Sequence, residues 1–217
     1  MRRAECVYCW LFGLLAFVGG PAFAGRPLMV DDADPVDRGQ FELEGGAGYF
    51  RDPACRHWDI PLGLTYGALP AVELGIGFGQ QFERRAEVVE ATGDEAHVHE
   101  NGLGDLAVAA KWQCAGEGAW LPRQALAPSV KFPTADEDKG LGSGETDYDL
   151  TWIASKALTE RLGVHGSVGY SWIGSPDGTD GSDAVHGGVA LDYRLSESLQ
   201  WVGEVFAERD VEGGGEL

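Results

Sequence analysis

The sequence predicts an all-β fold, an antiparallel up-and-down transmembrane β-barrel with about nine visible strands. Three observations lead there. Apolar residues recur at every second position in segment after segment, the links between segments alternate between short and long, and Tyr and Trp gather toward the ends of the apolar faces. In a strand, successive side chains point to opposite faces, so period-2 alternation gives one greasy face and one polar or small face.

The first candidate strand sets Phe41, Leu43, Ala47 and Tyr49 against Glu42, Glu44, Gly46 and Gly48. The second sets Trp58, Ile60, Leu62, Leu64 and Tyr66 against Asp59, Pro61, Gly63 and Thr65. The third alternates Val72, Leu74, Ile76 and Phe78 with Glu73 and glycines, and the fourth Leu106, Val108, Ala110 and Trp112 with Asp105, Ala107, Ala109 and Lys111. Val130 and Phe132 oppose Ser129 and Lys131, and Tyr148, Leu150 and Trp152 oppose Asp147, Asp149 and Thr151. Val164, Val168, Tyr170 and Trp172 oppose His165, Ser167, Gly169 and Ser171; Val185, Val189, Leu191 and Tyr193 oppose His186, Gly188, Ala190 and Asp192. Leu199, Trp201 and Val205 against Gln200 and Glu204 make the ninth. Proline removes a ladder hydrogen bond, so bulges are expected at Pro61 and Pro128. Ala154 to Leu162 reads either as a helical turn or as a strand end.

The links alternate in length. Gly67-Ala68-Leu69-Pro70, Thr159-Glu160-Arg161 and Leu195 to Ser198 are tight, whereas Glu83 to Asn101, Thr134 to Glu145 and Ser175 to Ser182 are long and mostly acidic. Short turns at one end and long loops at the other characterise outer-membrane barrels, and Tyr and Trp suit the headgroup level at either end. A soluble β-sandwich also alternates, but its second face must be polar where it meets water. Here that face is largely Gly, Ala and Ser with scattered charges, which suits a barrel interior.

Ahead of the strands, Arg2 and Arg3, an apolar run from Trp10 to Val18 and Ala22-Phe23-Ala24 form a secretory leader, residues 1–24, expected to be cleaved after Ala24. The run is too short for a membrane-spanning helix, which needs roughly 20 apolar residues. Residues 25–38 are expected to be a periplasmic N-terminal segment and 39–217 the barrel. Losing Arg2, Arg3 and Glu5 takes the formal charge from −19 to −20, which disfavours nucleic-acid partners. Bacterial single-chain barrels have even strand numbers, so nine candidates imply a barrel incomplete at the C-terminus.

Several short motifs add to this reading. Arg26-Pro27-Leu28-Met29-Val30-Asp31-Asp32-Ala33-Asp34 follows the leader; Asn101-Gly102-Leu103-Gly104-Asp105-Leu106 precedes a Val-Ala-Ala-Lys-Trp strand. Lys131-Phe132-Pro133-Thr134 is followed by Gly140-Leu141-Gly142-Ser143-Gly144, by Asp147-Tyr148, by Ser155-Lys156, and by Gly163-Val164-His165 and Gly169-Tyr170. In this order they resemble the outer-membrane β-barrel family named for phenol meta-pathway degradation, over nearly all the chain after the leader. The resemblance implies a transporter-like barrel, located in the bacterial outer membrane, that helps small, often aromatic, molecules across.

Candidate chemistry is sparse. His97-Val98-His99-Glu100 has metal-ligand residue types, but in a long acidic loop nothing fixes their geometry, and we read it as a solvated loop. Gly140 to Gly144 lacks the strand before and helix after that a phosphate loop needs. Ser, His and Asp occur without a nucleophile elbow. No cofactor is expected, nor an enzymatic role. The informative residues are the inward candidates: Glu42, Glu44, Asp59, Glu73, Asp105, Asp147, Asp149, Asp192 and Glu204, faced by Lys111, Lys131, Lys156 and His165. Their acidic excess favours cations in any water path. The expected function is a channel for small molecules, with outer-membrane lipid and the barrel-assembly machinery as partners. The competing readings are a structural or adhesive barrel without a pore and a soluble exported β-sandwich.

The cysteines test the topology. Cys55 follows the first strand and Cys114 ends the fourth, so the up-and-down order puts them at opposite rims, whereas a disulfide needs their Cα atoms within about 7 Å. Mass spectrometry of the unreduced, alkylated protein should find both thiols unlinked to each other; a Cys55–Cys114 bridge would overturn the strand order.

Overall fold

The computed structural model describes residues 29–51, 55–88, 95–175, 182–197 and 199–211. The expected leader lies outside them. Eleven strands are described: β1 (Phe41–Gly45), β2 (Gly48–Arg51), β3 (Cys55–Leu69), β4 (Val72–Val88), β5 (Glu95–Leu103), β6 (Leu106–Ala115), β7 (Arg123–Phe132), β8 (Asp147–Ala157), β9 (Leu162–Trp172), β10 (Asp183–Ser196) and β11 (Leu199–Val211). They form one antiparallel sheet in the order β1-β3-β4-β6-β7-β8-β9-β10-β11, with β2 extending β1 along β3 and β5 completing a long hairpin with β4. Each strand of the main path thus pairs with its neighbour in the chain, as an up-and-down barrel requires. Among the described residues β1 and β11 are the two edges, so the sheet is a half-barrel.

The sheet curls, and the hydrogen bonds show how strongly. Lys111 of β6 bonds Asp31, while Glu204 of β11 accepts the N–H of the adjacent Val30. In a flat sheet, strands five places apart stand about 24 Å apart. Two neighbouring residues reach both only because the sheet folds its polar face inward. The apolar face is left outside: Val205 is 77 % exposed and Leu43 74 %, and Trp58, Ile60, Leu74, Ile76, Val108, Leu150, Trp152, Val189 and Trp201 are exposed with them. The buried side chains include Glu73, Lys111, Ser155, His165 and Asp192. This is an inverted globule, and no second sheet covers the apolar face among the described residues, so the sandwich reading does not hold.

Three local expectations are corrected and a fourth, open between two readings, is decided. First, Glu83 to Asn101 is mostly not loop: β4 runs on to Val88 and returns as β5, which places His97, His99 and Glu100 in a strand opposite Ala86, Arg84 and Glu83. Second, Gly67 is not in the turn. β3 continues through a bulge to Leu69, and the reversal is at Pro70 and Ala71. Third, neither proline makes a bulge. β1 and β2 keep one register along β3, and their interruption at Gly46 and Ala47 lies opposite Pro61 and Ile60. Gly46 N–H still donates to the Pro61 carbonyl, at 3.1 Å. Pro128 sits where the β6–β7 ladder lapses between Ala109↔Ser129 and Trp112↔Leu126, again without a shift. A missing donor deletes pairs; it does not add a residue. Fourth, of the two readings of Ala154 to Leu162 the helical turn is excluded and the strand end holds: Ala154 to Ala157 is strand, and only residues 158–161 turn.

The cysteines separate as expected. Cys55 pairs with Arg85 at one end of β4, while Trp112, just before Cys114, pairs with Val72 at the other. That span of β4 is about 40 Å, and the Cys114 thiol is free.

Gly67 has a different task from turning the chain. Gly39 N–H donates to its carbonyl and its own N–H donates to Gln40 O, so residues 36–40 pass directly over it. A Cβ there would collide with the carbonyl oxygens of Val36 and Asp37. Gly67→Ala should therefore lift the N-terminal segment off the sheet. Hydrogen exchange should show Val30, Ala33 and Val36 amides exchanging at least about tenfold faster, with the β8–β10 amides unchanged; unaltered protection of the three would refute the contact.

Candidate functional site

The concave face is polar because alternation places there the residues interleaved with the exposed apolar ones. Its chemistry is organised around residues 29–37, which cross the concavity from the β11 edge to the β3–β4 hairpin. Glu204 accepts the N–H groups of Met29 and Val30 at 3.0 and 2.9 Å. Ser155 Oγ accepts Ala33 N–H at 2.9 Å, and Glu73 accepts Val36 N–H at 2.5 Å. Lys111 Nζ bridges Asp31 at 2.8 Å and Glu73 at 3.1 Å. Arg123 is paired with Asp34, and Gln113 donates to Ala33 O. Burial pushes the Asp34 carboxyl above its usual range, with Arg123 opposing the rise. An extended segment without ladder partners must place its N–H groups somewhere, since a buried orphan costs about 1–3 kcal/mol. Three inward side chains take four of them.

One anchor is part of a longer chain of bonds. Ser155 Oγ lies 2.8 Å from His165 Nδ1, His165 Nε2 lies 2.7 Å from Asp192 Oδ2, and Gln200 donates to Asp192 Oδ1 at 2.6 Å. With Nε2–H donating to Asp192, Nδ1 accepts the Ser155 hydroxyl, and the oxygen is left to accept Ala33 N–H. The residue types are those of a nucleophilic triad. In such a triad, however, the hydroxyl faces a substrate carbonyl and oxyanion donors; here it faces the backbone of the crossing segment. A cavity of about 210 Å³ opens beside it, bordered by Arg123, Ser155, His165, Asp192 and Arg194. It lies at the short-turn end, because Arg123, Ser155 and His165 follow one another across the register there.

Toward the long-loop end the face continues as separate pairs. Asp149 accepts from His186 at 2.7 Å, from Ser171 at 2.8 Å and from Thr151 at 2.7 Å. Lys131 lies 2.5 Å from Asp147 and 3.5 Å from Asp105, and Asp105 also accepts Ala135 N–H, holding the loop after β7. Glu42 and Glu44 occupy the concave positions of β1, opposite Thr65 and Gly63; Asp59 occupies that of β3 at the level of Gln81.

The sequence-predicted residues thus fall into distinct groups. Glu73, Lys111 and Glu204 hold the segment directly, and His165 and Asp192 hold it through Ser155. Asp105, Lys131, Asp147 and Asp149 form the upper pairs. Lys156 is a correction: it shares the parity of Trp152, and its ammonium ends at the rim on Gly118 O, at 2.5 Å, and on Glu117, at 3.0 Å. Of the weak metal set His97, His99 and Glu100, the His97 side chain lies outside the described residues. Strand alternation separates Glu100 from His99, and no group of three or more metal-ligating side chains occurs among the described residues. Sequence reasoning missed Asp31, Asp34, Gln113, Arg123, Ser155 and Gln200. Parity was available as a signal for Ser155, Gln113 and Gln200, but not for what Ser155 and Gln113 bind, since their partner is a segment outside any strand.

No curated protein matches the chain. The model of the family described as "Putative MetA-pathway of phenol degradation" matches residues 24–215. A match over nearly the full length, on a curled antiparallel meander of the kind the motifs implied, places this chain in that family.

Proposed function

We propose that the protein is a non-enzymatic outer-membrane barrel that lets small molecules pass through its interior, with residues 29–37 constricting the path near the short-turn end. The observation that carries this reading is the inversion of polarity: exposed aliphatic and aromatic side chains outside, hydrogen-bonded charges inside. On β3 the outer face runs from Tyr66 to Trp58 through Leu64, Leu62 and Ile60. That is about 27 Å of strand, on the scale of the roughly 25 Å apolar band between aromatic girdles. Lipid is the solvent such a surface fits. The acidic excess inside favours cationic or neutral solutes over anions, and the family name supports aromatic compounds as the solute class. The Ser155–His165–Asp192 array serves here as an anchor.

A barrel without a pore is the second reading, favoured by how firmly the segment is bonded across the concavity. Planar-bilayer conductance separates the two. The unaltered chain should conduct weakly with cation preference. Ser155→Ala combined with Glu204→Ala, which removes anchors for Met29, Val30 and Ala33, should raise conductance severalfold. Inserted protein that stays silent in both forms would favour the structural role.

The outer face gives an independent check. Leu74→Arg should block insertion into lipid vesicles, because a cation at the bilayer midplane costs about 2–4 kcal/mol. Gly75→Ser, on the concave face, should insert normally. Heat-modifiable gel mobility reads both, and equal behaviour would count against a lipid-facing surface.

A further inference from the structure

At the long-loop end, β2, β3, β4 and β5 line up a row of basic residues. Arg51 pairs with Arg56, Arg56 with Arg84, and Arg84 with His99. The next row toward the middle of the sheet is Tyr49, Trp58, Phe82 and Asn101, in the same cross-strand order. Arg56 and Arg84 stand two residues from Trp58 and Phe82 on their own strands, so they share the outer face with them. Trp58 is 49 % exposed and Phe82 44 %, and the Tyr49 and Trp58 rings pack at 4.6 Å.

Two features make this row unusual. Like charges directly opposite across an antiparallel pair are destabilising, yet Arg56 faces Arg84. No ion pair among the described residues relieves either of them. The same end of the molecule holds a groove of about 280 Å³ bordered by Arg56, Trp58, Phe82, Arg84, His99 and Asn101. Glu83 and Glu100 also border it, from positions of opposite parity, and Glu83 lies 3.9 Å from His57 on that other side. In a chain of net charge −19, a cationic row this concentrated calls for an anion from outside the protein.

We propose that Arg56, Arg84 and His99 bind the phosphate groups of an anionic lipid headgroup in the leaflet at the long-loop end, with Trp58 and Phe82 against its acyl or sugar portion. This rests on the membrane-barrel reading above. The level fits: aromatic side chains mark the interface, and arginines one step beyond it reach the phosphates. The chemistry fits as well, since a guanidinium offers phosphate paired, charge-assisted donors, and two adjacent forks can hold one phosphate or two neighbouring ones. An otherwise acidic barrel would repel anionic headgroups, and this row gives it one place to be held among them.

The full chain is refolded into zwitterionic phosphatidylcholine nanodiscs containing a small fraction of bis-phosphorylated lipid A, dephosphorylated lipid A, or neither. Lipid retained by the protein is counted by native mass spectrometry, and heat-modifiable mobility reports insertion in each sample. The unaltered chain should retain the phosphorylated lipid and not the dephosphorylated one. Arg56→Gln with Arg84→Gln should insert equally but retain about tenfold less, whereas Arg161→Gln, in the exposed turn at the opposite end, should retain as much as the unaltered chain. Retention unaffected by the double substitution, or abolished by millimolar inorganic phosphate, would overturn the lipid site; the second result would identify a site for the free anion. Failure of every form to insert in neutral lipid would instead overturn the membrane reading itself.

Discussion

The structure depends on how a curled sheet neutralises the polar side it encloses. Once the apolar face is turned outward, the carboxylates and ammoniums deep in the concavity, such as Glu73, Lys111 and Asp192, are removed from much of their water. A lone buried charge costs several kcal/mol, so each needs a partner within hydrogen-bond reach. The lysines illustrate this. Lys111 is 6 % exposed and lies between Asp31 and Glu73, and Lys131 lies between Asp105 and Asp147. Each is a cation placed between two carboxylates from different parts of the chain, which spreads the compensation: Lys111 ties β4 to the N-terminal segment, and Lys131 ties the start of β8 to the residue that precedes β6.

The N-terminal segment completes the same accounting. Glu204 and Ser155 have no cationic partner among the contacts described above; backbone N–H groups serve them instead. The segment therefore satisfies two needs at once, supplying donors to inward acceptors and burying Val30 and Ala33 where the concavity would otherwise be open. Gly67 and Gly188 mark where it comes closest, with Val36 and Asp37 over the first and the Val30 side chain over the second. Strength here comes from many modest bonds to different strands, and they can form only because Gly67 lets the segment pass so close to the sheet.

Most of the strand order was legible because alternation depends only on parity. Trp58 to Tyr66 and Tyr148 to Trp152 could be placed on their faces without knowing their neighbours. The inward placement of Lys156 ran against that parity: Lys156 shares the outward register of Trp152, and its charge is settled at the rim by Glu117 in the facing turn. The β4–β5 hairpin was hidden for another reason. Gln80 to Val88 and Glu95 to Leu103 pair fully, yet they carry few alternating apolar residues, so period 2 gives no signal there. The anchors were the least legible part. Met29 to Val36 has no period, and what it binds is set by curvature, which depends on the whole sheet. Pro61 shows a signal seen correctly and read wrongly: it does interrupt its neighbour, but by removing a donor.

The sequence separation of the anchoring bonds carries a kinetic consequence. Val30 and Glu204 are 174 residues apart, and Ala33 and Ser155 are 122 apart. Contacts of such high order close late, since the loop entropy must be met before they form. The segment leaves the ribosome before any of the described strands, yet its bonds to β8 and β11 cannot exist until those strands have arrived and the sheet has begun to curl. It must stay within the bowl while the walls are raised around it, and so the oldest part of the chain is among the last to find its place.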